Sequence, residues 1–194
     1  MTASTDADRL LDAAEKLYYE RGYQSVGMDA LRTASEVPLK RIYSLFEGKD
    51  AIAVAMLDRR DERWHASLAA RVAREAQPVS RALALFDWLS DWLASEGHRG
   101  CAWINAFGEL GGTSPSIVDA VRRHKRRLRT YVNDVATEAG ASSAVADAIF
   151  LLVEGCMVTA GISGDPDAAQ QAKRGAARLL RSDTLGSDHP ANPV

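Results

Sequence analysis

The sequence predicts an all-α fold, on three observations. Apolar residues recur at helical spacing along most of the chain. Four of the six prolines stand where helical stretches begin, and none interrupts one. No segment alternates apolar and polar residues long enough to read as a strand. About nine helices fit this punctuation.

Leu10, Leu11, Ala14, Leu17 and Tyr18 fall at i, i+1, i+4, i+7 and i+8, one face of a first helix. Thr5, with Asp8 three residues on, marks its N-cap, and Gly22 its stop. Two short helices are expected next, over 28–34 and 38–46, separated by a tight turn at Glu36 and Val37. A long helix follows over 49–76, with Ile52, Met56, Leu57, Trp64, Leu68 and Val72 inward. Pro78 opens another to Glu96, with Val79, Leu83, Phe86, Leu89 and Leu93 inward. Shorter helical material covers 102–110. Pro115, after Ser114 as N-cap, opens a helix to Ala139 with Val121, Leu128, Tyr131, Val132 and Val135 inward. Helices over 143–161 and, from Pro166 with Asp165 as N-cap, 166–181 complete the set. Residues 182–194 mix Ser, Asp, Gly and Pro and read as a flexible tail.

Composition narrows the class. A chain of 194 residues can bury roughly 70% of its unfolded surface and needs no disulfide or metal to hold a core. The 24 basic and 26 acidic side chains leave a formal charge of −2, which excludes an indiscriminate polycation. At 46% hydrophobic and 26% charged the chain is not largely disordered. Cys101 and Cys156 form no CxxC or Cys/His cluster, so two buried free thiols in a reducing cytosol are expected over one disulfide. The polar, acidic start from Met1 to Asp8 is unlike a signal peptide. The most apolar stretch, 144–162, carries Asp147 and Glu154, so no membrane span is expected and the protein is placed in the cytoplasm.

The pattern at 27–46 carries function. Leu31, Val37, Ile42 and Phe46 are spaced to pack two short helices on each other and on the first helix. That is the layout of a helix-turn-helix, whose second helix enters the major groove of DNA. Its outer face presents Lys40, Arg41 and Ser44, with Tyr43 to the side. Arg and Lys can donate to guanine O6 and N7 or neutralise phosphates, and the hydroxyls can bond phosphate oxygens. Lys49 precedes a long helix whose free amides favour a phosphate. On spacing alone a solvated surface turn fits as well.

The string Leu10-Leu-Asp-Ala-Ala-Glu-Lys-Leu-Tyr-Tyr-Glu-Arg-Gly-Tyr23, then Met28-Asp-Ala-Leu31 and Ile42-Tyr-Ser-Leu-Phe-Glu-Gly-Lys49-Asp50, closely resembles the TetR (tetracycline repressor-like) family over about residues 8–57. The resemblance implies a three-helix DNA-binding head over 1–50 and a helical ligand-binding and dimerisation body over 51–181. Carried over by position, the DNA-binding set is Pro38, Leu39, Lys40, Arg41, Tyr43, Ser44 and Lys49. It further implies a ligand-responsive regulator, most often a repressor, that binds a near-palindromic double-stranded operator as a homodimer.

Four positions depart from the family pattern. Glu36 stands where glycine is usual, which costs on the order of 1 kcal/mol if the turn keeps its positive φ. Pro38 stands for a capping Ser or Thr, Gly27 for a phosphate-binding hydroxyl residue, and Arg32 for a small residue.

In the body, Gly100-Cys-Ala-Trp-Ile-Asn-Ala-Phe-Gly-Glu109-Leu110 and Leu152-Val-Glu-Gly155 resemble one branch of the family. There the middle helices enclose a pocket and the last two pair with their twofold mates. The ligand-binding candidates are Trp64, Trp88, Trp92, Trp103, Asn105, Phe107 and Glu109. Asn105 and Glu109 are four apart on one helix face and could enter one cavity. Aromatic walls imply a hydrophobic or flat small-molecule effector.

The basic run Arg122–Arg129 keeps Val121, Leu128 and Val135 on one face, so its charges read as solvated rather than as a second DNA site. Glu62-x-x-His65 is half of a di-iron pair without its partner. With no HExxH, GxSxG or phosphate loop, neither catalysis, a metal nor a cofactor is expected. Two other classes remain open on sequence: a helical small-molecule-binding or scaffold dimer without sequence-specific DNA binding, and a redox sensor using the two cysteines.

Overall fold

The structure is a computed structural model, and it describes residues 5–186. Nine α-helices and no strand occur among the described residues: α1 Asp6–Arg21, α2 Met28–Ser35, α3 Leu39–Leu45, α4 Lys49–Val72, α5 Pro78–Leu93, α6 Ala102–Leu110, α7 Pro115–Glu138, α8 Ser143–Ser163 and α9 Ala168–Gly186. They form two compact units. The first comprises residues up to Trp64 together with Ala102–Lys125. The second comprises His65–Cys101 and the chain from Arg126 onward.

In the first unit α1 starts on a capping box. The Thr5 hydroxyl accepts the Asp8 N–H at 3.1 Å, and the Asp8 carboxylate accepts the Thr5 N–H at 3.2 Å. Gly22, at φ 86°, ends the helix, and its N–H donates to the Tyr18 carbonyl. The α1 core face is Leu10, Leu11, Ala14, Leu17 and Tyr18. Leu31, Val37 and Ile42 are fully buried beside it, while Phe46 is half-buried.

The first turns of α4 bury Ile52, Ala53, Met56 and Leu57. Three arginines on α4 grip the acidic side of α1: Arg59 reaches Asp12 at 2.6 Å, and Arg60 and Arg63 both reach Glu15 at 2.7 Å. The loop after α1 is bonded to α6. The Glu109 carboxylate accepts the Gln24 N–H at 3.0 Å, and the Gln24 amide donates to the Glu109 carbonyl at 2.6 Å.

In the second unit α8 packs on α9 and both pack on α5. Gly161 of α8 meets the backbone at Gly100 so closely that a Cβ there would lie 2.8 Å from the Gly100 Cα. Among the described residues α8 alone has the length and apolarity to cross a bilayer. One face of it is buried, with Ala146, Ile149, Val153, Cys156, Met157 and Ala160 inward. Asp147 on α8 pairs with Arg129 at 2.8 Å, and that bond holds its carboxyl below the ordinary range.

Several boundaries differ from expectation for local reasons. The helix expected to reach Ala76 ends at Val72, where the ladder tightens: the Arg74 and Glu75 N–H groups donate to the Arg71 and Val72 carbonyls at 3.3 and 3.1 Å. The helix expected to reach Glu96 stops at Leu93, where Gly97 folds back against the Trp92 ring and donates its N–H to the Trp92 carbonyl at 2.7 Å. The last helix starts at Ala168 rather than Pro166, because the Asp165 carboxylate accepts the Asp167 N–H at 2.9 Å in a separate turn. It then continues past Arg181 to Gly186, so the expected tail is helical over 182–186, and residues 187–194 lie outside the described residues. On α5 the buried residues are Ala82, Ala84, Leu85, Phe86, Trp88, Leu89 and Trp92, and Val79 is exposed.

Candidate nucleic-acid interface

The turn between α2 and α3 is built by three residues. The Ser35 hydroxyl donates to the Leu31 carbonyl at 2.7 Å and accepts the Val37 N–H at 3.3 Å. Glu36 adopts the left-handed conformation, φ 57° and ψ 22°. Pro38 then caps α3 through its backbone, since its carbonyl accepts the Arg41 and Ile42 N–H groups at 2.8 and 3.0 Å. The glycine-like geometry of the turn is therefore kept with Glu36 and Pro38 in place. Gly27 caps α2 without a side chain, and the space where a Cβ would project is open.

Ile42 anchors α3 inward, which turns Pro38, Lys40, Arg41, Tyr43 and Ser44 outward, all exposed, with Leu39 and Lys49 half-buried. The seven residues expected at a DNA surface thus lie on α3, its cap and the first residue of α4. Tyr43 is 53% exposed although aromatic. The Ser44 hydroxyl donates back to the Arg41 carbonyl at 2.7 Å, and its oxygen lies 3.5 Å from Arg41 Nη1. Lys49 Nζ approaches the Gln24 carbonyl at 3.5 Å. Arg32 pairs with Asp29 at 3.5 Å on α2.

Sequence reasoning missed Asp6. Its carboxylate accepts Arg41 Nε–H at 2.9 Å and Arg9 at 2.8 Å. These bonds, the Arg41 one first, hold the carboxyl below its ordinary range.

The expected ligand residues divide. In the first unit Trp103 stacks flat on the buried His124 ring at 3.5 Å, and Trp64 meets the same ring edge-on at 5.5 Å. His124 Nδ1 bonds to the Asp61 carboxylate. One member of the basic run is thus a core residue, while its neighbours Arg123 and Arg129 pair with Asp58 and Asp147. Asn105 is half-buried on α6. Phe107 is 52% exposed, and the Glu109 carboxylate accepts the Gln24 N–H.

In the second unit Trp88 and Trp92 stack at 5.9 Å and 8°. They line an open cleft of about 340 Å³ with Ser67, Arg71, Arg74 and Asp91. Trp88 Nε1–H donates to Ser67 Oγ at 3.0 Å. These polar lining residues were not singled out from sequence, although Asp91 stands three residues beyond Trp88. Cys101 and Cys156 are free and buried, and burial pushes the Cys156 thiol up to about 12.

A two-helix unit whose second helix is held by one buried isoleucine and shows two bases and two hydroxyls to solvent defines a helix-turn-helix protein. Family models agree: that of the tetR family of bacterial regulatory proteins matches residues 10–56, and that of the tetracyclin repressor-like C-terminal domain matches 78–176. The chain belongs to the TetR family.

Among its relatives, the transcriptional repressor ComR of Escherichia coli K12 is 30% identical over 128 residues, 64% of this chain and 61% of ComR. The repressor NemR of the same strain is 27% identical over 121 residues, 61% of each chain. The chain therefore spans about three fifths of the length of these curated relatives. Among solved structures, the TetR-family regulator SCO4454 of Streptomyces coelicolor superposes with a TM-score of 0.83 at 27% identity, covering 93% of this chain and 91% of that one. The reduced form of E. coli NemR, at 22% identity and a TM-score of 0.79, shares the fold.

Proposed function

We propose that the protein is a cytoplasmic transcriptional repressor that binds a near-palindromic operator as a homodimer and is released by a small hydrophobic or aromatic molecule. The observation that carries this reading is α3, anchored by Ile42 with Lys40, Arg41, Tyr43 and Ser44 facing solvent. A helix so anchored can lie in a major groove, with Lys40 and Arg41 toward bases or phosphates and Tyr43 and Lys49 toward the backbone. Residues 1–50 act as the DNA-binding domain and residues 51–181 as the ligand-binding and dimerisation domain.

Support for the dimer is the exposed apolar stripe Leu151, Val158 and Ile162 on α8, a face that a second copy of α8 and α9 would cover. Support for the effector is the Trp88–Trp92 cleft, where stacked indoles lie beside Arg74 and Asp91. An effector acts by binding more tightly to the state whose head spacing does not fit both half-sites. The role is regulatory and non-catalytic.

The test is a mobility-shift titration on DNA upstream of the gene and its neighbours. Selected DNA is expected to bind far better than random DNA, with affinity falling steeply in salt and lost on Lys40→Ala with Arg41→Ala. Equal binding to selected and random DNA removes the reading.

A further inference from the structure

Arg41 is not a free surface arginine. Its Nε–H donates to Asp6 Oδ2 at 2.9 Å, across from α3 to the first turn of α1. The other carboxylate oxygen, Oδ1, accepts Arg9 Nη2 at 2.8 Å. The capping box of Thr5 and Asp8 fixes the backbone beneath, and a helix N-terminus favours a carboxylate there. Asp6 is thus a fixed acceptor, bonded through both oxygens.

What remains of the Arg41 guanidinium is its outer end. Nη1 approaches Ser44 Oγ at 3.5 Å, and Nη2 meets no acceptor among the described residues. An arginine on a recognition helix has two targets, a phosphate or the O6/N7 edge of guanine, and a flexible one serves either. A carboxylate on Nε ties the guanidinium plane to α1 and leaves the Nη donors for a planar, two-point acceptor. The same carboxylate repels phosphates, so it lowers affinity for DNA of any sequence while favouring the one contact it positions.

We propose that Asp6 is a positioning residue for sequence recognition, holding Arg41 so that its Nη groups read one guanine in each half-site. The inference rests on the proposed DNA-binding function.

The test is selection from a randomised DNA pool, followed by titration, with the full-length wild type, Asp6→Ala, Arg41→Ala, the double variant and Asp8→Ala. Asp8→Ala breaks the same capping box without touching Arg41, so it reports a merely structural loss. The wild type is expected to fix a G·C pair that Arg41→Ala no longer prefers. Asp6→Ala should relax preference at that pair about fivefold, the low end of what a two-point base contact discriminates, while its binding to random DNA tightens. The double variant should show the same base preference as Arg41→Ala, since the carboxylate acts on that preference only through the arginine, while its binding to DNA of any sequence is tighter than that of Arg41→Ala.

If Asp6→Ala tightens selected and random DNA equally and keeps the preference, Arg41 holds a phosphate and the inference is overturned alone. The same follows if Asp8→Ala relaxes that pair as much, or if the Arg41-dependent pair is not G·C. A wild type that selects no sequence removes the DNA-binding function beneath it, and this inference with it.

Discussion

Glu36 gives the turn between α2 and α3 a measurable energy. It is the one non-glycine residue with positive φ among the described residues, and its side chain is exposed. An L-residue held left-handed costs about 1–2 kcal/mol. Glycine avoids that cost but loses about 0.5–1 kcal/mol more backbone entropy on ordering. The difference leaves Glu36→Gly stabilising by about 0.5–1 kcal/mol. Glu36→Asn should recover part of it, because asparagine tolerates this conformation. Glu36→Ala removes the charge and keeps the Cβ, so it should move stability by no more than about 0.5 kcal/mol. Urea unfolding followed by circular dichroism reads the series, and 1 kcal/mol corresponds to roughly 2–4 °C in Tm for a chain of this size. The reasoning is refuted if Gly is no more stable than Glu, or if Ala gains as much as Gly, since the effect would then belong to the carboxylate.

Other perturbations have opposite signs at neighbouring sites. Gly161→Ala would press a Cβ to 2.8 Å from the Gly100 Cα and should cost about 1–3 kcal/mol in a urea melt. Gly175→Ala on α9 meets only the Leu152 side chain at 3.4 Å and should gain about 0.5–1 kcal/mol in the same assay, as alanine does in a helix. The Cys156 thiol, raised by burial from an ordinary 9.0 to about 12, stays protonated in the folded chain while the unfolded chain ionises. Its contribution to stability is therefore complete below pH 9 and is lost as pH rises toward 12. A Cys156→Ala variant, unfolded at pH 8 and pH 10, should lack that decline; an unchanged pH slope contradicts the burial argument. Leu151→Glu with Ile162→Glu, at positions 66% and 84% exposed, should leave the monomer fold intact and shift sedimentation from dimer to monomer. A variant that still sediments as a dimer places the interface off this face of α8.

What sequence could reveal depended on whether the cause was local. Thr5, Gly22 and Pro78 act on their own backbone, and the helices they bound follow from residue type. The core triad Leu31, Val37 and Ile42 was legible because helical spacing and the short turn leave few alternatives. Glu109 was not legible. Spacing placed it beside Asn105 on one face, but its carboxylate bonds to Gln24, 85 positions away in the chain. His124 lay inside a run of charges whose pattern predicts solvent, yet its ring stacks on Trp103 and bonds to Asp61, neither of which lies near it in the chain. Asp6 looked like an ordinary first-turn acid, and only the placement of α3 reveals its hold on Arg41. The aromatic positions followed the same rule. Four tryptophans could be assigned to the middle helices, but which two open onto a cleft depends on how α5 is rotated.

The first unit's discontinuity in the chain bears on how it is made and how it can be re-engineered. The α1–α2 loop leaves the ribosome early, but the Glu109 that accepts its Gln24 amide follows 85 residues later. Until that point Gln24 and the Tyr23 hydroxyl, which donates to the Ala102 carbonyl, lack their final acceptors. A nascent head is therefore completed only after α6 is synthesised, and its folding carries the slow entropy of a long loop. Chimeras that graft this head onto another body at residue 50 would leave Glu109 behind. A graft that carries residues 102–125 along with it keeps the unit whole.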